Sequence, residues 1–365
     1  MALVHHYQKI NFCDFNCDKL LGAMPVSSFE QAWPWLTHTV DYLLSESAQV
    51  YVHTLWHKEK LLLALPLIHQ TIHQTMTRMK FQQLRSVASC YSTVTIPYFA
   101  NTLTIEESER LLALLFTEIM HQKNWHQMLI GPIDLQGLTA NRIQTDYFFQ
   151  SRYSSSDNYF EDNINNFADY YAQRPSQLRN TIKRRSKKLA KVFDYRIKIV
   201  TAQASLTEHF IDYQSIYQKS WKGDELNFDF IRQVCLSAAQ ENKVRMGLLF
   251  LGDVAVAAQI WFVHQGCASI FKLAYDPKYQ EFSVGSILSL ALSEFVIETD
   301  KVHRIEFGSG SEAYKQDWMS AKQQRIILTV FNHRSVRGTI LALRYFVLPK
   351  VKAFVLRLLK IGKYE

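Results

Sequence analysis

Three apolar segments between Val244 and Tyr275 follow one another with only short turns between them, and they constrain the fold more than any other feature. The first two flank Gly252-Asp253, a dipeptide typical of a hairpin turn. The third ends at Asp276-Pro277. Segments with helical periodicity surround this meander: Thr207–Trp221, Phe228–Glu241 and Ile287–Glu298. With strands at Arg196–Val200, Arg304–Phe307 and Arg325–Asn332, the pattern predicts an α/β fold, in detail an α+β mixed sheet.

The first half of the chain repeats this order less clearly. It contains two predicted helices, Phe29–Ser47 and Ile105–Gln122. Strand-like segments alternate with them: Val50–Trp56, Leu61–Ile68, Leu84–Ile96 and Met128–Ile130, the last ended by Gly131-Pro132. The Ser- and Asn-rich segment Tyr153–Asn166 is typical of a loop or domain boundary. The order of these elements predicts a second unit built like the first.

The length of 365 residues and 48% hydrophobic content are typical of two globular domains. We predict an N-terminal domain at 1–165 and a basic connecting helix at 166–192, the latter interrupted at Arg174-Pro175. A C-terminal domain at 193–335 and a basic amphipathic helix at 336–365 complete the predicted division.

The net charge of +8 is concentrated in two segments, Arg174–Lys198 and Arg334–Lys363. A basic helix such as Lys183–Lys191 is usually a solvated face, but it also suits an anionic acceptor or a nucleotide phosphate. It lacks the interleaved aromatic residues that stack on bases, so specific nucleic-acid recognition is not expected. Attraction to tRNA phosphates stays an open alternative.

The cysteine and histidine patterns favour a cytoplasmic protein without a bound metal. Five cysteines are scattered, and Cys13 with Cys17 is the only close pair. His69 and His73 have helical spacing but no nearby acidic ligand. We see neither a secretory signal nor an apolar stretch long enough to span a membrane.

A candidate anion site precedes the last long helix of the meander unit. Ser283-Val284-Gly285-Ser286 leads into Ile287 and the helix that follows. Glycine permits close approach of a phosphate to the backbone, and the unpaired amides of a helix start attract negative charge. The alternative is an ordinary helix cap.

Several motifs in the right order resemble the CelD-type GNAT-like acetyltransferases over roughly residues 160–340. Phe167–Leu189 resembles the connecting helix of that family. Four later segments resemble its later motifs: Phe271–Asp276, Ser283–Ser286, Glu306–Gly310 and Tyr314–Trp318. That family is similar to the Fem-type aminoacyl transferases, which carry two GNAT-like halves. The resemblance therefore implies two GNAT-like acyl-CoA N-acyltransferase domains in tandem, with the N-terminal one degenerate.

The resemblance also implies a reaction. The donor would be acetyl-CoA or another acyl-CoA, and the acceptor an amine or hydroxyl of a sugar, polysaccharide or cell-envelope precursor. Lys315 would stabilise developing negative charge, Tyr314 would protonate the leaving thiolate, and Glu306 would act as the base, although the family more often has Asp there.

The expected donor-binding residues are Ser283, Val284, Gly285, Ser286 and Ile287, and the expected substrate-binding residues are Tyr275, Lys272, Trp318 and Arg184. Each has a structural alternative. Glu306 and Lys315 can form a surface ion pair, Trp318 can belong to the core, and Lys272 can extend its amine to solvent.

The C-terminal segment Lys350–Lys363 projects as a basic amphipathic helix, which suits either docking on its own domain or peripheral contact with the inner face of a membrane. The sequence leaves three functions open: a CoA-dependent acyltransferase, a Fem-type aminoacyl-tRNA-dependent transferase, and a non-catalytic binding protein that keeps the fold.

Overall fold

The computed structural model describes residues 5–16, 28–74, 79–134, 150–310 and 312–361, with the side chains of the last helix described as far as Val351. We call residues 5–161 the N-terminal half and residues 162–361 the C-terminal half. Their strands join in one sheet, so the two halves are not separate layers.

The N-terminal half contributes seven strands and two α-helices among the described residues. The strands are β1 His6–Asn11, β2 Gln49–His57, β3 Lys60–Gln74, β4 Met79–Ser86, β5 Tyr98–Phe99, β6 Gln127–Asp134 and β7 Gln150–Glu161. The helices are α1 Trp33–Leu43 and α2 Ile105–His121, and a 3₁₀ turn at Phe29–Gln31 precedes α1. The predicted helix Phe29–Ser47 is therefore shorter and begins with this turn.

The C-terminal half contains the predicted meander. Its strands are β8 Tyr195–Val200, β9 Val244–Leu251, β10 Val254–His264, β11 Cys267–Tyr275, β12 Arg304–Ser309 and β13 Ala321–Phe331. Its helices are α3 Phe167–Ala172, α4 Ser176–Val192, α5 Gln203–Lys219, α6 Phe228–Gln240, α7 Val284–Glu298, α8 Lys315–Trp318 and α9 Val336–Ile361. The order confirms the prediction, including the interruption between α3 and α4 at Arg174-Pro175.

The two halves exchange strands at the centre of the sheet. The strand order is β1-β2-β3-β4-β6-β13-β7-β12-β11-β10-β9-β8, with β5 beside β3. Strand β13 of the C-terminal half thus pairs with β6, and β7 of the N-terminal half pairs with β12. Because the central strands come from both halves, neither half has a complete sheet alone. The predicted domain boundaries therefore stay predictions.

One hydrophobic cluster crosses between the halves. The Trp35 indole of α1 contacts Phe230 of α6 and Phe262 of β10 edge to face, with ring centroids 5.3 and 5.9 Å apart. All three side chains are fully buried. Aromatic pairs of this kind add to the free energy gained by burial, so they hold α1 of one half on the sheet of the other.

Two predictions for the N-terminal half are wrong. The Ser-rich segment Tyr153–Asn166, predicted as a loop or a domain boundary, is not a loop, because most of it belongs to β7, a central strand paired on both edges. The domain boundary stays a prediction. Strand pairing here overrides the local preference of serine for turns. The predicted strand Leu84–Ile96 ends at Ser86, and residues 87–97 form a loop whose apolar Val87 and Val94 are buried.

The last helix, α9, agrees with the predicted helix at 336–365 over its described part. Beyond Lys350 and Val351, the side chains that make Lys350–Lys363 amphipathic lie outside the described residues. In the described part of the chain, no helix is both long enough and apolar enough to cross a membrane.

Candidate functional site

A cleft opens where the parallel strands β11 and β12 separate. Their pairing covers only Cys267–Ser269 and Arg304–Glu306. Beyond it, the next residues of the two strands form facing walls, and the loop after β4 and the turn before α1 close the remaining side. We call this the C-half cleft; it is lined by Ile270, Phe271, Lys272, Phe307, Gly308, Ser309, Glu30, Cys90, Tyr91 and Thr93.

The loop at residues 87–97 places a tyrosine in this cleft. The Tyr91 hydroxyl donates to the Glu225 carboxylate at 2.6 Å and accepts from the backbone N–H of Asn227 at 3.2 Å. A Cβ added to Gly308, which has φ +65°, would lie 3.0 Å from the Thr93 side chain. Glycine at this position therefore lets the loop of the N-terminal half pack closely against β12.

Lys272, a predicted substrate-binding residue, lies in the wall of the C-half cleft. Its amine forms an ion pair with Glu225 at 2.7 Å and lies 4.3 Å from the centre of the Tyr91 ring. Burial lowers the pKa of Lys272, while the bonded Glu225 opposes that effect. The amine is therefore held in the protein and does not extend to solvent.

Glu30 is a functional candidate that the sequence analysis missed. It is buried in the 3₁₀ turn before α1, lines the C-half cleft and accepts a hydrogen bond from the Thr93 hydroxyl. Burial raises the pKa of Glu30 from 4.5 to about 7, and the Glu306 charge adds to this while Thr93 and Arg325 oppose it. A carboxyl group with this pKa can accept or release a proton near neutral pH.

The predicted donor loop forms the first turn of α7. Helix α7 begins at Val284, after Ser283 in the left-handed conformation (φ 54°), and no described side chain caps it. The Gln259 amide donates to the Gly285 carbonyl at 2.9 Å and to the Ser289 hydroxyl at 2.8 Å, which fixes this turn on β10. Sequence reasoning also missed Gln259. The free amides of the turn remain available to an anion.

Tyr275 lies beside this helix start. A Cβ added to Gly285 would lie 3.1 Å from the Tyr275 ring, and that ring also contacts Trp221 with centroids 4.5 Å apart. Tyr275 therefore lies between the C-half cleft, where Lys272 precedes it on β11, and the first turn of α7. The glycine leaves space for the ring.

The basic helix α4 lies near the same turn. Lys188 pairs with Glu281 at 2.5 Å, and its amine lies 4.9 Å from the centre of the Phe282 ring, just before α7. Arg184, predicted to bind substrate, is exposed on α4 and away from the C-half cleft lining. The structure thus places Lys188 near the predicted donor loop, and no residue of α4 lines the cleft.

Lys315 and Tyr314 contact residues of the β12 wall, but neither lines the C-half cleft. The buried Lys315 amine donates to the Ser309 carbonyl at 2.7 Å and pairs with Glu312 at 3.0 Å. The Tyr314 ring packs edge to face on Phe307 with centroids 5.6 Å apart, and burial raises the pKa of Tyr314 to about 12. Lys315 therefore holds the turn that carries Ser309, a cleft residue.

Glu306 and Trp318 have structural partners. The Glu306 carboxylate accepts hydrogen bonds from Arg304 at 2.6 Å and from Asn158 at 3.3 Å, so the surface pair with Lys315 is not formed. Trp318 is buried in the core, and its carbonyl accepts from the Tyr170 hydroxyl at 3.2 Å. Neither residue is part of the C-half cleft lining. In the described ranges, no three His, Cys, Asp or Glu side chains are grouped to hold a metal ion.

Comparisons with known proteins agree with this geometry. Residues 176–316 match the model of the acetyltransferase (GNAT) domain. The fold is similar to the crystal structure of FemX, with a TM-score of 0.61, 8% identity, and coverage of 90% of this chain and 98% of FemX. The chain has a tandem GNAT fold.

Two other solved structures show the same fold. L-PGS from Bacillus licheniformis has a TM-score of 0.51 at 10% identity, with 88% of this chain and 99% of that chain covered. A conserved protein of unknown function from Bacteroides thetaiotaomicron has a TM-score of 0.52 at 12% identity, with 90% and 100% covered. No curated protein sequence matches the chain significantly.

The family match lies on the half that contains the open helix start. It begins with α4 and ends one residue after Lys315. It thus includes the β11 and β12 walls of the C-half cleft, the first turn of α7 and the Tyr314-Lys315 pair. This GNAT domain is the acyltransferase-like part of the molecule, and the N-terminal half adds Glu30 and the loop at residues 87–97 to its cleft.

Proposed function

We propose that this protein transfers an acyl group from an acyl-CoA, most simply acetyl-CoA, to an amine or hydroxyl of a sugar, polysaccharide or cell-envelope precursor. The observation that supports it best is the uncapped first turn of α7, which follows β11, one of the two strands whose separation forms the cleft. Tyr275 contacts this turn and belongs to the same strand as the cleft residue Lys272.

The diphosphate of the donor binds at the start of α7. The amides of Gly285 and Ser286 donate to it, and the positive end of the helix favours its charge. Basic residues of α4, Arg184 among them, add attraction for the donor phosphates. The pantetheine arm follows β11, where the strand no longer pairs with β12, and this brings the thioester into the C-half cleft.

The transfer needs one base and one acid. The acceptor oxygen or nitrogen attacks the thioester carbonyl carbon, and its proton passes to the Glu30 carboxylate. The carbon–sulfur bond then breaks, and Tyr314 gives its proton to the departing thiolate. Glu30 replaces Glu306 as the proposed base because the Glu306 carboxylate is paired with Arg304, whereas the Glu30 carboxyl group lines the cleft.

The positive charge of Lys315, beside the β12 wall, stabilises the developing negative charge. Its amine is already bonded to the Ser309 carbonyl, so it also keeps that wall in position. Lys272, held by its ion pair with Glu225, belongs to the opposite wall and contacts the acceptor.

We place the reaction in the cytoplasm, with α9 as a peripheral contact to the inner face of a membrane. Along its described part α9 exposes apolar side chains, namely Ile340, Leu343, Val347, Leu348 and Val351, each about half exposed. Exposed apolar residues on a helix with basic neighbours suit an anionic lipid surface.

Calorimetry with acetyl-CoA and CoA tests the donor, and release of free thiol in the presence of sugar and amine acceptors tests transfer. We expect micromolar donor binding and thiol release that depends on the acceptor. If the donor does not bind but tRNA shifts the protein on a native gel, the aminoacyl-tRNA-dependent function replaces this proposal. If neither binds, the chain is a non-catalytic GNAT-fold protein.

A further inference from the structure

The N-terminal half has its own opening between parallel strands. Strands β4 and β6 pair in parallel only over Gln83–Arg85 and Gln127–Leu129 and then separate, as β11 and β12 do in the other half. A second cleft lies there, which we call the N-half cleft. Its lining includes Arg85 and Ser86 from β4, Gly131 and Pro132 from β6, and Tyr153 from β7.

Arg85 is a cation of this cleft for which the described residues supply no counter-ion. Among the residues that the structure describes, no carboxylate pairs with Arg85, and its Nε is buried without a hydrogen-bond partner. Its one recorded hydrogen bond is a long contact of 3.4 Å from a terminal nitrogen to the Ala88 carbonyl. Burial lowers the pKa of Arg85, but a guanidinium keeps its charge at physiological pH. A partly buried charge of this kind is stabilised by an anion.

Hydroxyl groups line the same cleft as the guanidinium. Besides Tyr153, the cleft is lined by six serines: Ser86, Ser89, Ser92, Ser155, Ser156 and Ser309. Hydroxyls accept and donate hydrogen bonds equally well, so they suit a ligand that is itself rich in hydroxyls. The cleft thus combines one fixed positive charge with many adaptable hydrogen-bonding groups.

The N-half and C-half clefts are neighbours. Cys90 and Ser309 line both of them. A ligand anchored at Arg85 therefore extends past these two residues toward Glu30 and Lys272. The loop at residues 87–97 forms the boundary between the clefts and contributes side chains to each.

We propose that the N-half cleft binds the anionic group, a phosphate or a carboxylate, of a hydroxyl-rich acceptor, with Arg85 as its counter-ion. The N-terminal half then serves as the acceptor site for the C-terminal half. The acceptor role rests on the function proposed above, whereas binding of the anion does not.

Alkylation of Cys90 tests binding without any measurement of activity. Cys90 is exposed and lies where the clefts meet, and the exposed Cys13 serves as an internal reference. Iodoacetamide labelling of both residues in the full chain is followed by peptide mass spectrometry. The probes are glucose 1-phosphate, glucuronate and uncharged glucose, with CoA in a separate series.

We expect one of the two anionic sugars to slow the labelling of Cys90 but not of Cys13, and glucose to have much less effect. Arg85→Ala should raise the half-protecting concentration by about tenfold or more, because a charge-assisted pair is lost. The half-protecting concentration for Arg85→Lys should lie between those for the wild type and Arg85→Ala, since lysine keeps the charge but not the planar guanidinium group. The matched control is Arg232→Ala, on the exposed face of α6, which should match the wild type.

The probe that protects identifies the source of the charge, phosphate or carboxylate. The proposal is overturned if neither anionic sugar protects Cys90, if glucose protects equally, or if Arg85→Ala leaves protection unchanged while its thermal unfolding matches the wild type. Protection by CoA that is insensitive to Arg85→Ala supports the donor site separately, so failure of one proposal is distinguishable from failure of the other.

Discussion

The two halves of the molecule have the same plan but opposite helix starts. In both, a pair of parallel strands separates and a long helix connects them. Helix α7 of the C-terminal half starts without a side-chain cap. Helix α2 of the N-terminal half starts with a capping box, in which Thr104 and Glu107 satisfy each other's backbone amides, and Glu106 adds negative charge. A helix start closed in this way repels a phosphate.

This difference indicates how one half can lose a donor site and still contribute to a reaction. The connection from β11 to α7 is a short 3₁₀ turn, Pro277–Phe282. The connection from β4 to α2 is longer, and its residues 87–97 enter the cleft of the other half. Under the proposed function, the N-terminal half would provide acceptor contacts and the buried carboxyl group of Glu30 in place of a second donor site.

The largest expected effect is on turnover after Glu30→Gln. The amide keeps the size of the side chain but cannot take a proton, so kcat should fall by about 10²-fold or more. Wild-type turnover should rise with pH through about 7, the pKa of Glu30, because the carboxylate is the active form. Steady-state kinetics with acetyl-CoA across this range measure both, and the variant should lose the rise.

Glu46→Gln is the matched control, since Glu46 is an exposed carboxylate after α1. If Glu30→Gln retains the wild-type rate and pH profile, the N-terminal half contributes no base. Only the C-terminal half would then take part in catalysis, and the N-terminal half would have a structural role.

Lys315→Ala should lower kcat by about 10²-fold, because it removes a positive charge beside the proposed oxyanion and the bond that holds the Ser309 carbonyl. CoA affinity measured by calorimetry should change little. Lys322→Ala, at an exposed lysine on β13 paired with Asp157, is the control. Equal turnover in both variants would remove Lys315 from the mechanism.

The C-terminal half was predictable from the sequence because its signals are local. The Gly252-Asp253 turn, the apolar meander and Gly285-Ser286 each specify nearby structure. The N-terminal half was less predictable because its partners are distant in sequence. Strand β7 looks like a loop until β12 and β13 pair with both of its edges.

The candidate site was predicted in part for the same reason. The predicted residues Tyr275 and Gly285 do lie beside one another, because they belong to consecutive elements, while their roles stay predictions. Glu30, Tyr91 and Arg85 were missed, since only the packing of one half on the other brings them to the clefts. One sequence signal could have identified Glu30: it is a charged residue between the apolar residues Phe29 and Trp33 of a predicted helix.

The pH dependence of stability gives a further difference between the halves. Because burial raises the pKa of Glu30 from 4.5 to about 7, the folded protein binds this proton more tightly than the unfolded chain does. The free energy of unfolding should therefore fall as pH rises through this interval, by about 2 kcal/mol between pH 5 and pH 8. Urea unfolding of the wild type and Glu30→Gln at each pH measures this, and the slopes should differ by that amount. Identical slopes would show that Glu30 ionises as freely as in the unfolded chain.

Gly285→Val tests the open helix start directly. The added side chain would press on the Tyr275 ring and crowd the first turn of α7, so CoA affinity should fall by about tenfold. Calorimetry with CoA measures the change, and thermal unfolding shows whether the fold persists. Unchanged affinity would place the donor elsewhere.

Thr104→Ala is the equivalent change at the closed start of α2. It should lower the stability of the protein and leave its affinity for CoA unchanged. It removes the Thr104 hydroxyl that accepts from the Glu107 amide, which should cost about 1 kcal/mol of stability. CoA affinity should stay at the wild-type value, because the donor binds only at α7. Thr117→Ala, at an exposed hydroxyl near the end of the same helix, controls for the loss of a threonine. A contrary result would be stronger CoA binding by Thr104→Ala, or a second CoA site. The capping box alone would then close the N-terminal half to the donor. The functional difference between the halves would lie in this helix cap and not in the longer connection before α2.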